Sequence, residues 1–407
     1  GWPAVKPPPV LLALLSMSST PLRSKFGLAI TIILAAAIVF LFWDGRLETS
    51  CRSTIDGDIK HAYRNNTKLK LEYDPYDDVV SLDGVVPRAF PVFSEPFPCV
   101  EPDEDWDKTK VLRSPASEGF FFVKEMKTGS STVAGVAIRI SLNMARRQGK
   151  EYDICKARFD HTRAWQMKFA KRDRKKSILW TIIREPNSRA ASQFFHFEVS
   201  RKKVDPTDAN FENYLFNTID FDNHYFQTLS VTDYMGVEDE VNFTNKVLQD
   251  YDFIGVTERM NESLVALSML LNLELTDILY LKSKENGSFD FGGTDKCTYI
   301  VPTYISPRMK EYFSHNKQWV KRSLGDHILY RAAHRSLDMT IEHLGRSNFT
   351  AKLAEFNRLQ EKVEEECLNH VMFPCDAGGR RNTESSCLWA DSGCGNSCID
   401  GILNKIM

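Results

Sequence analysis

Twice in this chain an apolar, strand-like run leads directly into a turn that opens a helix, and that repetition constrains the fold more than any other feature. In the first, Phe122-Val123 leads through Lys124, Glu125, Met126, Lys127, Thr128 and Gly129 into the hydroxyl cluster Ser130, Ser131, Thr132. In the second, Ser177 to Ile183, rich in β-branched and aromatic residues, is followed at once by Arg184, Glu185 and Pro186 and then by an amphipathic stretch. Strand, turn and helix in this alternation predict an α/β fold with a P-loop-like central parallel sheet flanked by helices. Open sheets of that kind bind ligands beyond the carboxyl ends of their strands, where both turns lie.

The first turn has the makings of an anion site. Gly129 lets the backbone bend close to a ligand, the amides of Thr128 to Thr132 point outward at a helix start, and the positive end of the helix favours negative charge. Lys127 adds a point charge. Its position before the glycine separates this turn from the Walker pattern G-x-x-x-x-G-K-[ST], in which the lysine follows the glycines and a hydroxyl holds magnesium. The same residues also suit an ordinary helix start with Ser130 as N-cap. In the second turn Pro186 fits a first helical turn and Arg184 sits at the strand's carboxyl end. Ser192, eight residues beyond Arg184, is far enough into the helix to aim its hydroxyl at a phosphate held by the arginine.

The two motifs together resemble the Golgi carbohydrate sulfotransferases, whose 5′-phosphosulfate loop reads Lys-Thr-Gly-Ser-Ser-Thr and whose 3′-phosphate motif reads Arg-x-Pro-x-x-Arg-x-x-Ser. Arg184, Pro186, Arg189 and Ser192 match the second pattern. A third stretch, Asp252 to Leu264, resembles the strand and helix start of the galactose 3-O-sulfotransferase and uronosyl 2-O-sulfotransferase branch, and the resemblance spans roughly residues 118 to 345. It implies a 3′-phosphoadenosine 5′-phosphosulfate co-substrate. Lys127, Thr128, Gly129, Ser130, Ser131 and Thr132 would hold the phosphosulfate end, and Arg184 and Ser192 the 3′-phosphate, with no metal required. The implied acceptor is a sugar hydroxyl, galactose first, of a glycolipid or glycan.

Transfer to a hydroxyl needs a base, and histidine suits near-neutral pH. His161 lies between the two motifs, where related enzymes carry a histidine base; the alternative is a surface histidine in a basic loop. His196, four residues beyond Ser192, is a rival, weighed against a buried place in the aromatic run Phe194 to Phe197, and Glu198 is a weaker candidate. Lys127 would neutralise the oxygen left on the 5′-phosphate. Lys282 and Lys284, in a later glycine-containing loop, are further candidate donor contacts. A basic run, Lys168, Lys171, Arg172, Arg174, Lys175 and Lys176, continued by Arg201, Lys202 and Lys203, is either a solvated surface or a preference for acidic acceptors.

The amino terminus speaks to compartment. Phe26 to Trp43 is an uncharged run of 18 residues with Arg23 and Lys25 before it and Asp44, Arg46 and Glu48 after it. That is a signal anchor with its amino end in the cytosol, and it lacks the small-residue pattern of a cleaved signal. The expected organisation is a cytosolic tail over 1–25, with Met17 a candidate start, an anchor over 26–43, and a lumenal stem over 44–117 rich in proline and acid. A sulfotransferase domain over 118–365 and a cysteine-rich cap over 366–407 complete it. With the resemblance this describes a single-pass type II Golgi membrane protein. Part of the stem, Val85 to Val100, can also be read as a packed extension.

An oxidising lumen pairs cysteines, and five of the nine crowd the end as Cys367, Cys375, Cys387, Cys394 and Cys398, predicting a disulfide-stapled tail. A zinc site is the other reading of those cysteines. The odd count leaves one cysteine over, and Cys51 is placed to link two anchors in a homodimer. Sequons follow the anchor at Asn65, Asn242, Asn261, Asn286 and Asn348. A net charge of −2 gives no global field toward nucleic acid. Two readings compete with the transferase: a lumenal nucleotide-dependent kinase, and a catalytically silent, membrane-anchored glycan-binding protein.

Overall fold

The computed structural model describes residues 80–99 and 118–406, apart from 162, 168, 233–238 and 292–295. The expected tail and anchor, Cys51, the Asn65 sequon and most of the stem lie outside the described residues. Among the described residues no helix is long and apolar enough to cross a membrane.

Four strands form one parallel sheet: β1 (Gly119–Val123), β2 (Ala157–Asp160), β3 (Ser177–Ile183) and β4 (Phe253–Val256), in the order β2-β1-β3-β4. Every residue of β1, β3 and β4 is buried. That is why these strands read as continuous apolar runs and not as alternating ones, since helices and aromatic side chains cover a parallel sheet on both sides. Across β1 and β3 Trp180 stacks on Phe120, with ring centroids 5.6 Å apart, and meets Phe122 tilted, at 4.5 Å.

The helices are α1 (Ser130–Arg147), α2 (Pro186–Phe194, continued by a π-helical turn Phe195–Arg201), α3 (Asp208–Asn217), α4 (His224–Leu229), α5 (Glu240–Asp250) and α6 (Met260–Leu270). They continue with α7 (Pro307–His315), α8 (Lys317–His343), α9 (Arg346–Cys367) and α10 (Asn396–Ile406), and a two-stranded ribbon pairs β5 (Phe289–Asp290) with β6 (Thr298–Tyr299). Residues 319–345 and 349–370 read in the sequence as late helices over the core, and α8 and α9 cover these stretches.

Strand order locates the ligand crevice. From β1 the chain crosses to β2 on one side, and from β2 it returns over β1 to β3 on the other. The connections therefore diverge between β1 and β3, and at such a switch point the loops leave a gap at the carboxyl edge of the sheet. The loops flanking that gap are 124–129 and 184–185.

Residues 80–99 belong to the core, which fits the packed-extension reading of Val85 to Val100 and not the stem. Val80, Val85, Phe90 and Phe97 are buried in that core, the Phe90 amide donates to Thr340 Oγ1 at 2.9 Å, and the Arg88 guanidinium donates to the carbonyls of Leu248 (2.8 Å) and Tyr251 (2.9 Å). Proline and acid are common in this stretch, but its apolar residues fall where they cover the sheet, and Cys99 is tied to Cys155. The tail is stapled too, by Cys367–Cys398 and Cys387–Cys394, whereas Cys375 reaches back to Cys297. With all five tail cysteines in disulfides, the zinc reading has no thiolates to draw on. The tail packs into the same core through Ile399, Ile402 and Leu403. Of the described sequons, the Asn242, Asn286 and Asn348 residues are exposed, while the Asn261 side chain is engaged by Asn357 (2.9 Å) and Tyr280 (2.8 Å).

The tail passes close to Gly135 of α1, where an added methyl would overlap the Gly393 backbone. Gly135→Ala should therefore lower stability by about 1–3 kcal/mol, as overpacking of a rigid contact does, read as a lower denaturation midpoint.

Candidate functional site

The loop after β1 is held in an unusual shape by its own hydroxyls. Lys127 and Gly129 both take left-handed backbone, with φ of 64° and 71°, which is natural for glycine and uncommon for lysine. Thr128 Oγ1 donates to the Glu125 carbonyl at 3.1 Å, and Ser130 Oγ bonds the same carbonyl. Thr132 Oγ1 accepts from the Ser283 amide at 3.1 Å. Three of the hydroxyls that the sequence offers to a phosphate thus shape the turn. The first helical amides are left for an anion, since a helix start has no carbonyls one turn back to accept them.

Glu125 anchors the loop below. Its buried carboxylate meets His224 Nε2 at 3.1 Å, and His224 Nδ1 lies 3.0 Å from the Asp220 carbonyl. Asp326 of α8 takes the amides of His224 (2.9 Å) and Tyr225 (2.8 Å) at the start of α4. Burial pushes the Asp326 carboxyl up to about 6.

The second turn is pinned to the first. Arg184 Nη1 donates to the Lys127 carbonyl at 3.3 Å, and the Thr257 hydroxyl lies 2.9 Å from the carbonyls of both Thr128 and Ile183. The Tyr225 hydroxyl accepts from the Arg184 amide (2.9 Å) and donates to the Arg184 carbonyl (2.6 Å). Glu258 accepts from the Glu185 amide (3.1 Å) and from Tyr330 (3.2 Å), and stands 3.9 Å from Arg184 Nε. Tyr225 carries no sequence signal of its own, whereas Thr257 and Glu258 lie within the Asp252 to Leu264 stretch singled out above and open the turn after β4, the third strand-turn-helix junction of the chain.

Positive charge crowds this crevice. Burial, with Lys284, Arg184 and Arg201 nearby, lowers the Lys127 ammonium to about 7, and burial with Lys284 lowers Lys124 to about 8. Among the described residues Lys127 makes no salt bridge. Lys284, by contrast, is paired with Asp290 (3.3 Å) and Asp391 (2.6 Å), and Arg201 with Asp290 (2.9 Å). Burial opposes ionisation of Asp290, yet Lys284 and Arg201 hold its carboxyl below the usual range.

The sequence candidates divide. Lys127 to Thr132 and Arg184 converge, and Lys284 joins them, whereas Lys282 points to Glu364 at 3.8 Å. His161 stands beside the loop: its Nδ1 donates to the Lys124 carbonyl at 2.6 Å, an assignment that follows because a carbonyl can only accept. Nε2 is then the basic nitrogen. His161 is exposed at the surface, and desolvation of its ring together with the Lys124 charge lowers its pKa from the usual histidine value. His196 is buried on the π-helical turn, 3.7 Å from Asp290, and burial with Lys127 and Arg201 lowers it to about 3. So weak a base is a poor acceptor of a hydroxyl proton.

Around Arg184 the motif residues play unequal parts. Arg189 is 1% exposed, with its guanidinium over Phe221 and Tyr225, and stabilises the packing of α2. Ser192 is buried in α2, and among the described residues no hydrogen bond joins it to Arg184. The start of α2 is already capped, because the Glu185 carboxylate accepts from the amides of Asn187 (2.9 Å) and Ser188 (2.6 Å). An anion at this turn must therefore rely on side chains.

The basic run lies elsewhere. Arg172 bonds Asp252 (2.9 Å) and the Asp250 carbonyl (2.9 Å), Arg174 bonds the Gln249 carbonyl (2.9 Å), and Lys176 pairs with Glu118 (3.1 Å). All of these lie at the amino ends of β1, β3 and β4. The seven residues of β3 put about 20 Å between them and the crevice. This part of the run stitches strand starts together and does not face an acceptor; Lys168 lies outside the described residues.

Comparison of the chain with protein-family profiles, characterised proteins and solved structures gave no match.

Tyr225→Phe removes the partner of both backbone groups of Arg184. It should lower stability by about 1–3 kcal/mol, the usual cost of buried unpaired polar groups, measured by denaturant unfolding.

Proposed function

We propose that this protein transfers a sulfuryl group from 3′-phosphoadenosine 5′-phosphosulfate to a sugar hydroxyl. The observation that carries this reading is the junction of the two turns, where the Arg184 guanidinium bonds the backbone of Lys127 itself. The 3′- and 5′-groups of one ribose are close neighbours, and so are the two cationic turns. A mononucleotide with one anionic end would leave one of them without a partner.

The donor supplies a sulfur centre whose bond to the 5′-phosphate breaks as the acceptor oxygen bonds to it, releasing adenosine 3′,5′-bisphosphate. The protein's part is positioning and charge. Helix-start amides of α1 and the Lys127 ammonium would hold the 5′-phosphate, Lys127 neutralising the charge that develops on it. Arg184 would hold the 3′-phosphate from the side, with Ser192 behind it on α2. His161 Nε2 would take the hydroxyl proton. An acceptor on a glycolipid or glycan, galactose first, suits the sequence resemblance, as does a lumenal, membrane-anchored setting in the Golgi.

Thermal unfolding of the full-length chain in EDTA tests the donor. Adenosine 3′,5′-bisphosphate should raise the melting temperature where adenosine 5′-phosphate and ATP do not, and a shift produced only by ATP with magnesium would sink the reading in favour of a kinase. Lys127→Ala should abolish transfer with the fold retained. Arg184→Ala should weaken bisphosphate binding by about 1.5–3 kcal/mol in calorimetry, and unchanged affinity would place the 3′-phosphate elsewhere.

The lowered Lys127 pKa gives a signed prediction. At pH 8 the free protein holds Lys127 mostly neutral, its pKa being about 7. A bound anion favours the ammonium, so binding draws in a proton. Calorimetry in buffers of different ionisation enthalpy should show net proton uptake at pH 8, reduced in Lys127→Ala, and bisphosphate affinity should fall as pH rises above 7.

A further inference from the structure

The disulfide Cys387–Cys394 closes a short loop in the tail, and that loop reaches the same crevice. It is fastened on three sides. The Gly393 backbone lies against Gly135 of α1, Asp391 pairs with Lys284 at 2.6 Å, and Trp389 meets Phe159 of β2 edge-on, with ring centroids 5.3 Å apart. Inside the loop the backbones of Trp389 and Ser392 bond each other in both directions, at 3.1 and 2.8 Å, with Ala390 in left-handed conformation. So tight a turn permits little independent movement of its side chains.

What it holds is a large aromatic residue in water. Trp389 is 55% exposed, although it is anchored on one edge. The Lys124 ammonium stands 5.9 Å from its ring centroid, and the Lys124 carbonyl is the group that orients His161. Phe159 belongs to β2, and His161 follows the end of that strand. Lys124 is thus a shared neighbour of the indole and of the base assigned above, and Asp391, two residues beyond Trp389, ties the loop to Lys284.

We propose that Trp389 is the platform on which a pyranose ring of the acceptor stacks. This rests on the sugar-acceptor reading of the preceding subsection. One face of a pyranose is a patch of C–H groups and its rim carries hydroxyls. An exposed indole offers a flat apolar face to the first, while the charged groups around it can hydrogen-bond the second. Stacking fixes the plane of the ring and leaves the choice of hydroxyl to its rim contacts. Trp389 is then a binding residue, and the disulfide holds it in place before the acceptor arrives.

The test uses the full-length chain and its Trp389→Ala and Trp389→Phe variants, saturated with adenosine 3′,5′-bisphosphate, on an array of neutral and acidic oligosaccharides. The wild-type chain should retain a set of glycans, the alanine variant should bind that set about tenfold more weakly or worse, and the phenylalanine variant should fall between them. Melting temperature, and its rise with bisphosphate, should be nearly unchanged in both variants, which a merely structural role for the indole would not give. Equal glycan binding by wild type and Trp389→Ala overturns the proposal, as does a wild-type chain that responds to bisphosphate but binds no glycan. If the alanine variant does not fold, the phenylalanine variant decides: undiminished glycan binding by it overturns the proposal. Absence of any bisphosphate shift in the wild type instead overturns the donor reading, and a glycan loss specific to the Trp389 variants would still support the platform.

Discussion

Like charges brought together out of water repel, and the crevice between β1 and β3 does this with Lys127, Arg184, Arg201 and Lys284. Such an arrangement persists only where the surrounding structure enforces it. Arg184 is clamped through its own backbone by Tyr225, Arg201 and Lys284 share the Asp290 carboxylate, and Lys127 is carried on a left-handed residue that the rest of the turn determines. Burial first, and then the neighbouring cations Lys284, Arg184 and Arg201, depress the Lys127 pKa. An anion placed there would relieve the repulsion, as the donor proposed above would.

Most of the remaining structure can be understood as support for this arrangement. The buried strands fix where the two turns emerge, and Glu125, His224 and Asp326 lock the loop after β1 to α4 and α8. From the other side the tail, though last in sequence, supplies Asp391 to Lys284 and packs Gly393 on α1. Its disulfides are thus part of the site's geometry as well as of its stability, and the segment 80–99 closes the core against α5 and α8.

How far the site could be read from sequence depends on the kind of signal. The turn at Lys127 to Thr132 was legible as a turn because a glycine among hydroxyls separates an apolar run from a helix, and Arg184 was placed because it follows a strand. The hydroxyls were legible as a cluster but not as partners of Glu125, since that bond depends on the turn's left-handed residues. Arg184 and Arg189 look alike in the motif, yet one faces the crevice and the other is sandwiched by Phe221 and Tyr225. The basic run, read as either a solvated surface or an acceptor preference, shows the same limit: sequence shows charge density, whereas the end of a strand on which the charge falls is a matter of topology.

The sequence by itself determined the local elements: buried strands from unbroken apolar runs, helix starts from Gly129 and Pro186, and a cysteine-rich tail suited to disulfides. These follow from short-range propensity and pattern, which act over a few residues. Only the tertiary structure decided strand order, the pairing of Cys375 with Cys297, the poor basicity of His196 beside Lys127, and the meeting of Trp389 with the end of β2. Each joins residues far apart in the chain, through packing or through electrostatics that burial strengthens, and neither can be read from spacing alone.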